Sequence, residues 1–210
     1  MGLIALAIKS LSRGPIFFKQ ERVGFMGRRF MCLKFRSMKH GADTGVHQQH
    51  FSQLIQSDRP MTKMDRTGDS RLIPCGALLR SSGLDELPQL LNVLMGDMSL
   101  VGPRPCTVNE FGQYQEWHRE RCHTLPGLTG LWQVNGKNKT TFSEMIHMDI
   151  HYGRNCTLWM DVKIMSRTFS ILAEQVRETR ADASSNPVSA TVQPGAFPRA
   201  ESVINGPMTS

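Results

Sequence analysis

The sequence predicts a mixed α/β (α+β) fold, on three observations. Residues 15–38, "PIFFKQERVGFMGRRFMCLKFRSM", read as two strands joined by a glycine-containing turn. Leu87, Leu90, Leu91 and Leu94 fall at i, i+3, i+4 and i+7, one stripe of an amphipathic helix. Leu158, Val162, Met165, Phe169 and Leu172 alternate steps of four and three and mark a second such helix. At 210 residues the chain is long enough for one domain with a real core, and it holds no internal repeat.

The elements follow in order. The apolar run from Gly2 to Ile8 is far shorter than the roughly 20 residues a spanning helix needs. Residues 1–13 are therefore expected to be the last turns of a membrane-inserted or membrane-lying helix. They are not a signal peptide, because no charged region comes first and no small-residue cleavage site follows. In the second strand Met31, Leu33 and Phe35 alternate with Lys34 and Arg36, giving one greasy and one basic face. Lys39 to Arg71 turns polar and reads as a long loop with a short helix around Phe51 to Gln56. The leucine helix is expected just after Asp85 and Glu86. "SLVGPRPCT" must be non-helical, since Pro103 and Pro105 force Gly102 and Arg104 towards extended conformations. A helix is expected over "NEFGQYQEWHRERC", then a glycine-rich loop, "LPGLTGLWQVNGK". In the last helix Trp159, Met160, Ile164 and Ile171 widen the apolar side opposite Lys163 and Arg167, a pattern that suits core packing or a membrane surface. The stretch 177–210 is rich in Ala, Ser, Pro and Thr and reads as a disordered tail, leaving 14–176 as the main domain, which the resemblance described below implies is catalytic.

Twenty-five Lys and Arg against eighteen Asp and Glu leave a formal charge of +7. That balance favours polyanions: nucleic acid, an anionic membrane face or nucleotide phosphates. The charge and the aromatics in "RRFMCLKFRSMK" motivate a nucleic-acid-binding alternative, but no helix-turn-helix, RNA-recognition or zinc pattern accompanies them, and no nucleic acid is expected. The five cysteines are scattered, with no C-x-x-C pair, and suggest reduced thiols in a cytoplasmic setting. His147 and His151 lie four apart in "HMDIH" but lack an evident third ligand for a metal. Lys34 and Arg36 either hold phosphate or face anionic headgroups. Trp132 is expected to be a buried anchor for the glycine-rich loop, and the thirteen methionines core and interface filler.

Asp85 and Glu86, in "GLDELPQLLNVL", are the residues that ask for chemistry. The plain reading makes Asp85 a helix N-cap and Glu86 a first-turn acid. Pro88 weakens it, because it removes one of the two backbone N–H groups such a cap accepts from. The functional reading draws on Arg80, five residues upstream, and on Arg104 between two prolines, which together make an anion site for phosphate. A carboxylate there is placed to attack phosphorus. Like charges 4 Å apart repel by about 4 kcal/mol at an effective dielectric near 20, so cations must offset the approach of Asp85 to a diphosphate. A second carboxylate beside the first is an economical way to hold Mg²⁺ against phosphate oxygens, so Asp85 and Glu86 need not be redundant.

Five stretches in this order, "GPIFFKQERVG", "KFRSM", "LDELPQLLNVLMGDMSLVGPRP", "PGLTGLWQVNGK" and "DIHYGRNCTLWMDVKIMSRT", closely resemble the bacterial sugar transferase family of monotopic polyprenyl-phosphate phosphoglycosyl transferases. The resemblance covers roughly Gly14 to Gln175. It implies transfer of a sugar 1-phosphate from a nucleotide diphosphate sugar, a UDP-sugar, to undecaprenyl phosphate, releasing UMP and initiating exopolysaccharide, capsule or O-antigen assembly. It implies Asp85 as nucleophile, Glu86 as its partner on Mg²⁺-bound phosphate, Arg80 in support, and Pro103, Arg104 and Pro105 at the nucleotide end of the donor. The implied fold is a small compact monotopic domain with amphipathic interfacial helices, on the cytoplasmic face of the bacterial inner membrane. Two departures stand out. The family usually has a further hydrophobic stretch before "LIALAIKSLSRGP", which raises the alternative of a truncated, inactive membrane-associated relative. Gly83 replaces the more usual Ser or Thr, and is expected to loosen the loop that carries Asp85.

Overall fold

Alternating side chains and a glycine-rich turn do build a hairpin. In the computed structural model, which describes residues 1–39, 41, 52–55, 57, 60, 71–136 and 140–185, β1 (Phe17–Val23) pairs antiparallel with β2 (Arg29–Phe35). Phe17 lies opposite Phe35 and Val23 opposite Arg29. This register puts Gln20 and Arg22 on the same face as Cys32 and Lys34, since opposed residues share a face and alternate ones return to it. A short β4 (Cys106–Thr107) pairs with Arg22 and Val23, giving the order β2-β1-β4 and leaving β2 at an edge.

That edge is closed by a side chain. After α2 (Gly76–Ser81) and a 3₁₀ turn (Leu84–Glu86) comes α3 (Gln89–Leu94), whose Asn92 is fully buried. Asn92 Oδ1 accepts from Leu33 N at 3.1 Å, and Nδ2 donates to Met31 O at 2.9 Å and to Asp97 Oδ2 at 3.2 Å. The carboxamide thus does for β2 what a neighbouring strand would. Its burial, with that of Gln89, turns part of the leucine stripe outward: Leu91 and Met95 are exposed and Leu94 is 83% exposed, while Leu90 is half-buried and Leu87 packs against the cluster of Phe35 and Leu79. The periodicity marked a helix correctly, but its polar side packs as well. The helix is also shorter than its stripe, because Leu87 and Pro88 still belong to the turn between the acidic pair and Gln89.

β3 (Ser99–Val101) and β5 (Gly127–Thr129) form a parallel pair. Glycine lets these backbones approach closely: a Cβ on Gly127 would sit 2.1 Å from Gly102 N, and one on Gly130 would sit 2.4 Å from Gly102 O. The segment expected as a glycine-rich loop therefore holds a strand and a helical turn, α6 (Leu131–Val134), in which Trp132 is buried as expected. The single helix expected over residues 109–122 is instead two short ones, α4 (Val108–Gly112) and α5 (Glu116–Arg119), followed by a 3₁₀ turn to His123. Each has its own capping box. Thr107 and Glu110 close the first, and Gln115 with His118 Nδ1 the second.

Two longer helices finish the core. α7 (Phe142–Asn155) starts at a Thr141–Glu144 capping box and buries Phe142, Met145, Ile146 and Tyr152. α8 (Leu158–Ser185) packs through Ile164, while Leu158, Trp159 and Phe169 stay exposed. Tyr152 Oη ties the two to β3, reaching Val101 O at 3.2 Å and Asp161 Oδ1 at 2.7 Å. α8 continues to Ser185, into the stretch expected as tail, and residues 186–210 lie outside the described residues, as do His47 and His50. Of the expected 39–71 loop, residues 52–55 are described and helical. Among the described residues no helix is long and apolar enough to cross a membrane.

α1 (Gly2–Leu11) packs Ile8 against Phe35, Ile73 and Leu79 and leaves Leu3, Leu6 and Leu11 exposed. Its C-terminal end is held by Arg36. Arg36 Nε donates to Pro15 O at 2.6 Å, Nη1 to Arg13 O at 2.8 Å and to Ser12 Oγ at 3.1 Å, and Nη2 to Ser12 O at 3.0 Å. A buried guanidinium so used is a structural clamp, favoured at a helix C-terminus. Arg36 is thereby removed from the phosphate-binding candidates. The mixed α/β class stands.

Replacing Asn92 by Ala strips Leu33 N–H and Met31 C=O of their side-chain partner, and a cost of about 2–4 kcal/mol is expected. Urea unfolding of the two proteins measures it; a difference below half a kilocalorie would show that β2 does not need the carboxamide.

Candidate active site

Lys34, projecting from β2, is where the hairpin meets the acidic turn. Its Nζ lies 2.6 Å from Glu86 Oε1. Both side chains are partly exposed, so the pair is worth little to stability. What it shows is orientation: the Glu86 carboxylate is presented to a cation. Asp85, beside it, is buried at 9% exposure. Burial pushes its carboxyl up to about 6, and the Glu86 charge pushes the same way, against the pull of Lys34 and Arg80. Arg80, in the last turn of α2, thus acts on Asp85 electrostatically.

Asp85 is not a helix cap. The 3₁₀ turn is preceded by Gly83, and α3 by Pro88, and neither start carries a side-chain cap hydrogen bond. Gly83 has φ 69° and ψ 6°, a left-handed conformation that glycine adopts freely. A Cβ there would lie 3.1 Å from the Leu172 side chain. Glycine takes this conformation without the cost that a side chain would bring.

Beyond Glu86 lies a narrow cleft lined by Arg22, Cys32, Lys34, Gln89, Arg104, Pro105, Gly127, Leu128 and Gln133. Arg22, Lys34 and Arg104 face a single carboxylate there, Glu86. Burial, and then the nearby Arg104, make it harder for Arg22 to hold its proton, against the pull of Glu110. The lining suits an anionic ligand with a flat or apolar part.

The Pro103–Arg104–Pro105 segment is held by its carbonyls. Two prolines remove two backbone donors, so the segment cannot join a ladder. Instead Gly127 N donates to Pro103 O at 2.9 Å, Arg121 Nη2 to Arg104 O at 3.0 Å, and Arg22 Nη1 to Pro105 O at 3.0 Å. Of the site residues read from sequence, Glu86, Arg104 and Pro105 meet in the cleft with Lys34. Pro103 is buried, and Asp85 and Arg80 adjoin the cleft without lining it. Arg22, Gln89 and Gln133 escaped the sequence reading. For Arg22 a signal existed: it is two residues from Gln20 on a strand whose partner carries Lys34. The weak histidine pair has another use, since the His147 ring stacks on Trp117 with centroids 4.8 Å apart.

A profile described as bacterial sugar transferase matches residues 1–175. The chain belongs to that family. Sugar transferases similar to it include the galactosyl transferase CpsE of Streptococcus agalactiae, 38% identical over 180 residues that cover 81% of this chain and 38% of CpsE. The exopolysaccharide production protein ExoY of Sinorhizobium fredii is 36% identical over 166 residues, covering 79% of this chain and 74% of ExoY. The UDP-glucose:undecaprenyl-phosphate glucose-1-phosphate transferase of Xanthomonas campestris is 39% identical over 173 residues, covering 79% of this chain and 33% of that protein. The chain thus spans well under half of CpsE and of the Xanthomonas transferase, and about three quarters of ExoY.

Two outcomes follow for this sugar transferase. The folded Asp85 carboxyl keeps its proton to about pH 6, while an unfolded one releases it near pH 4. Between those values the folded chain binds more protons, so stability falls as pH rises from about 4 to about 6 and the deficit is complete above. Asp85→Asn removes that deficit. In metal-free buffer at pH 7.5 the variant is expected to be more stable by up to about 3 kcal/mol, with the gain vanishing near pH 4, as read by urea unfolding. Gly83→Ser is expected to cost about 1–2 kcal/mol from its left-handed backbone; an unchanged melting temperature would contradict it.

Proposed function

We propose that the chain transfers a sugar 1-phosphate from a UDP-sugar to undecaprenyl phosphate, releasing UMP, as the first step in building an exopolysaccharide, capsule or O-antigen. One observation carries this reading: a desolvated aspartate with a raised pKa stands beside a second carboxylate at the mouth of a cleft rich in arginine and lysine. Membership of the sugar transferase family supports it, as does the name of the Xanthomonas relative, which specifies donor, acceptor and transferred group.

The chemistry divides into two displacements at one phosphorus. An Asp85 carboxylate oxygen attacks the phosphorus that bears the sugar. The bond from that phosphorus to the bridging oxygen breaks, and UMP leaves with the electron pair. A phosphate oxygen of the polyprenyl lipid then attacks the same phosphorus, the aspartyl–phosphorus bond breaks, and the carboxylate is restored. Splitting the transfer means the water-soluble donor and the lipid need never share the site. Burial makes Asp85 more basic than an ordinary carboxylate while leaving it ionised near pH 7, which suits a nucleophile. Arg104, Arg22 and Lys34 stabilise charge on the diphosphate, and Arg80 restrains the charge on Asp85.

Asp85 and Glu86 would hold Mg²⁺. The donor set fits: two adjacent carboxylates offer hard oxygens, and magnesium commonly takes one or two protein carboxylates with its remaining positions on phosphate and water. Glu86 already turns its oxygen towards a cationic group, Lys34 Nζ. When bound, the ion would neutralise phosphate charge and lower the barrier to attack. The exposed apolar side chains of α1, α3 and α8, with the net charge of +7, support a seat on the anionic cytoplasmic face of the inner membrane.

The test incubates the protein with Mg²⁺ and a panel of UDP-sugars, with and without undecaprenyl phosphate, and follows UMP. Release is expected with one or a few sugars and is lost in Asp85→Asn; full activity in that variant would remove Asp85 from the nucleophile role. Labelled donor without lipid should leave one sugar phosphate on Asp85, detected by peptide mass. Below about pH 6 the rate of that first step should fall by about tenfold per pH unit as the carboxylate is protonated.

A further inference from the structure

Three consecutive carbonyls, of Pro103, Arg104 and Pro105, each meet a fixed donor, and the donor at the centre is the unusual one. Arg121 lies in the 3₁₀ turn after α5, is 3% exposed and does not line the cleft. Its Nη2 donates to Arg104 O at 3.0 Å and lies 2.5 Å from Asp149 Oδ2, while Nη1 donates to Tyr114 Oη at 2.8 Å. Asp149 comes from α7 and is 1% exposed. Burial pushes its carboxyl up, against the pull of Arg121. Among the described residues Arg121 Nε and Asp149 Oδ1 have no hydrogen-bond partner.

Such a pair is a poor stabiliser. Two ions removed from water recover the cost only with full hydrogen bonding, and well-packed apolar residues often do as well or better. This one is incompletely bonded. What apolar residues cannot supply is a donor to Arg104 O, and among the described residues no backbone donor stands in for it. The loop gives Arg104 no rigidity of its own from a ladder, because both its neighbours are prolines.

We infer that Arg121, held in place by Asp149, is a positioning residue that fixes the main chain of Arg104 so that the Arg104 guanidinium faces the donor's diphosphate. Asp149 supplies the countercharge that lets Arg121 stay ionised inside the core, and Tyr114 fixes the rotation of the guanidinium. The inference rests on the proposed reading of the cleft as the UDP-sugar site. It adds a layer of three buried residues, from separate elements, behind the residue that touches the ligand.

The experiment measures UMP release for Arg121→Met, Asp149→Asn and Arg104→Ala, alone and combined, with donor and lipid varied separately. Arg121→Met should raise the donor KM about tenfold or more while the KM for undecaprenyl phosphate stays put, because a misplacement of about 1 Å is enough for losses of this size. Asp149→Asn should move the same constant in the same direction by less. Since Arg121 acts through Arg104, adding Arg121→Met to Arg104→Ala should change the donor KM no further. An additive penalty overturns the inference. So does an Arg121 variant that loses activity only in proportion to its loss of folded protein and keeps the wild-type donor KM. If Arg121→Met does not fold, Arg121→Lys, which retains the charge against Asp149 but loses the forked contact, should show the same split between the two substrates. If Asp85→Asn keeps full turnover, the functional reading fails instead. Calorimetric binding of UDP then still tests the inference, with weaker binding to the Arg121 variant supporting it and unchanged binding overturning it.

Discussion

Asn92 is the interaction on which the arrangement of this chain turns. β2 sits at the edge of its sheet, and an edge strand with unmet backbone groups is an open invitation to pair with something else. A carboxamide meets both a donor and an acceptor of that edge, and does so from α3, the helix that directly follows the acidic turn. The consequence runs in two directions. Inward, α3 is docked so that Glu86 comes within reach of Lys34 on the same strand. Outward, Leu91 and Leu94, which share the helix with Asn92, have nowhere to go but the surface. A single polar contact thus orders the site and exposes the apolar rim together.

The site is a balance of charge around one buried carboxylate. Asp85 is buried next to another acid, which raises the cost of its ionisation, and Lys34 on β2 and Arg80 on α2 limit that cost. The cleft side holds more positive than negative groups. An arriving diphosphate would relieve repulsion between guanidiniums rather than create it. On the proposed function, selectivity for a charged donor and readiness of Asp85 as nucleophile would arise from one distribution of charge.

Much of this was legible from sequence because it obeys short-range rules. Alternation gave the hairpin, prolines the extended 102–105 segment, and adjacent carboxylates before Pro88 the suspicion of chemistry. What was not legible depended on partners far along the chain. Lys34 and Arg36 look alike on the page, two residues apart on one face of a strand. One reaches an acid more than fifty positions on, and the other ends a helix behind it. The leucine stripe gave the helix but not its orientation, because the reading assumed that apolar residues face inward, and a buried Asn with two backbone partners reversed it. Arg22 and Arg121 went unread for a similar cause: each serves a loop carbonyl contributed by a distant segment.

The clamp on α1 bears on how the protein can be handled. Arg36 spends its guanidinium on Pro15, Arg13 and Ser12, and it is almost sealed from solvent. Cutting away the first helix together with Ser12 and Arg13 to gain solubility would strip a desolvated cation of most of its acceptors and uncover Phe35 and Leu79, which Ile8 now shields. The greasy leading segment is therefore also a plug, and a trimmed protein would trade one exposed apolar surface for another with a stranded charge at its centre.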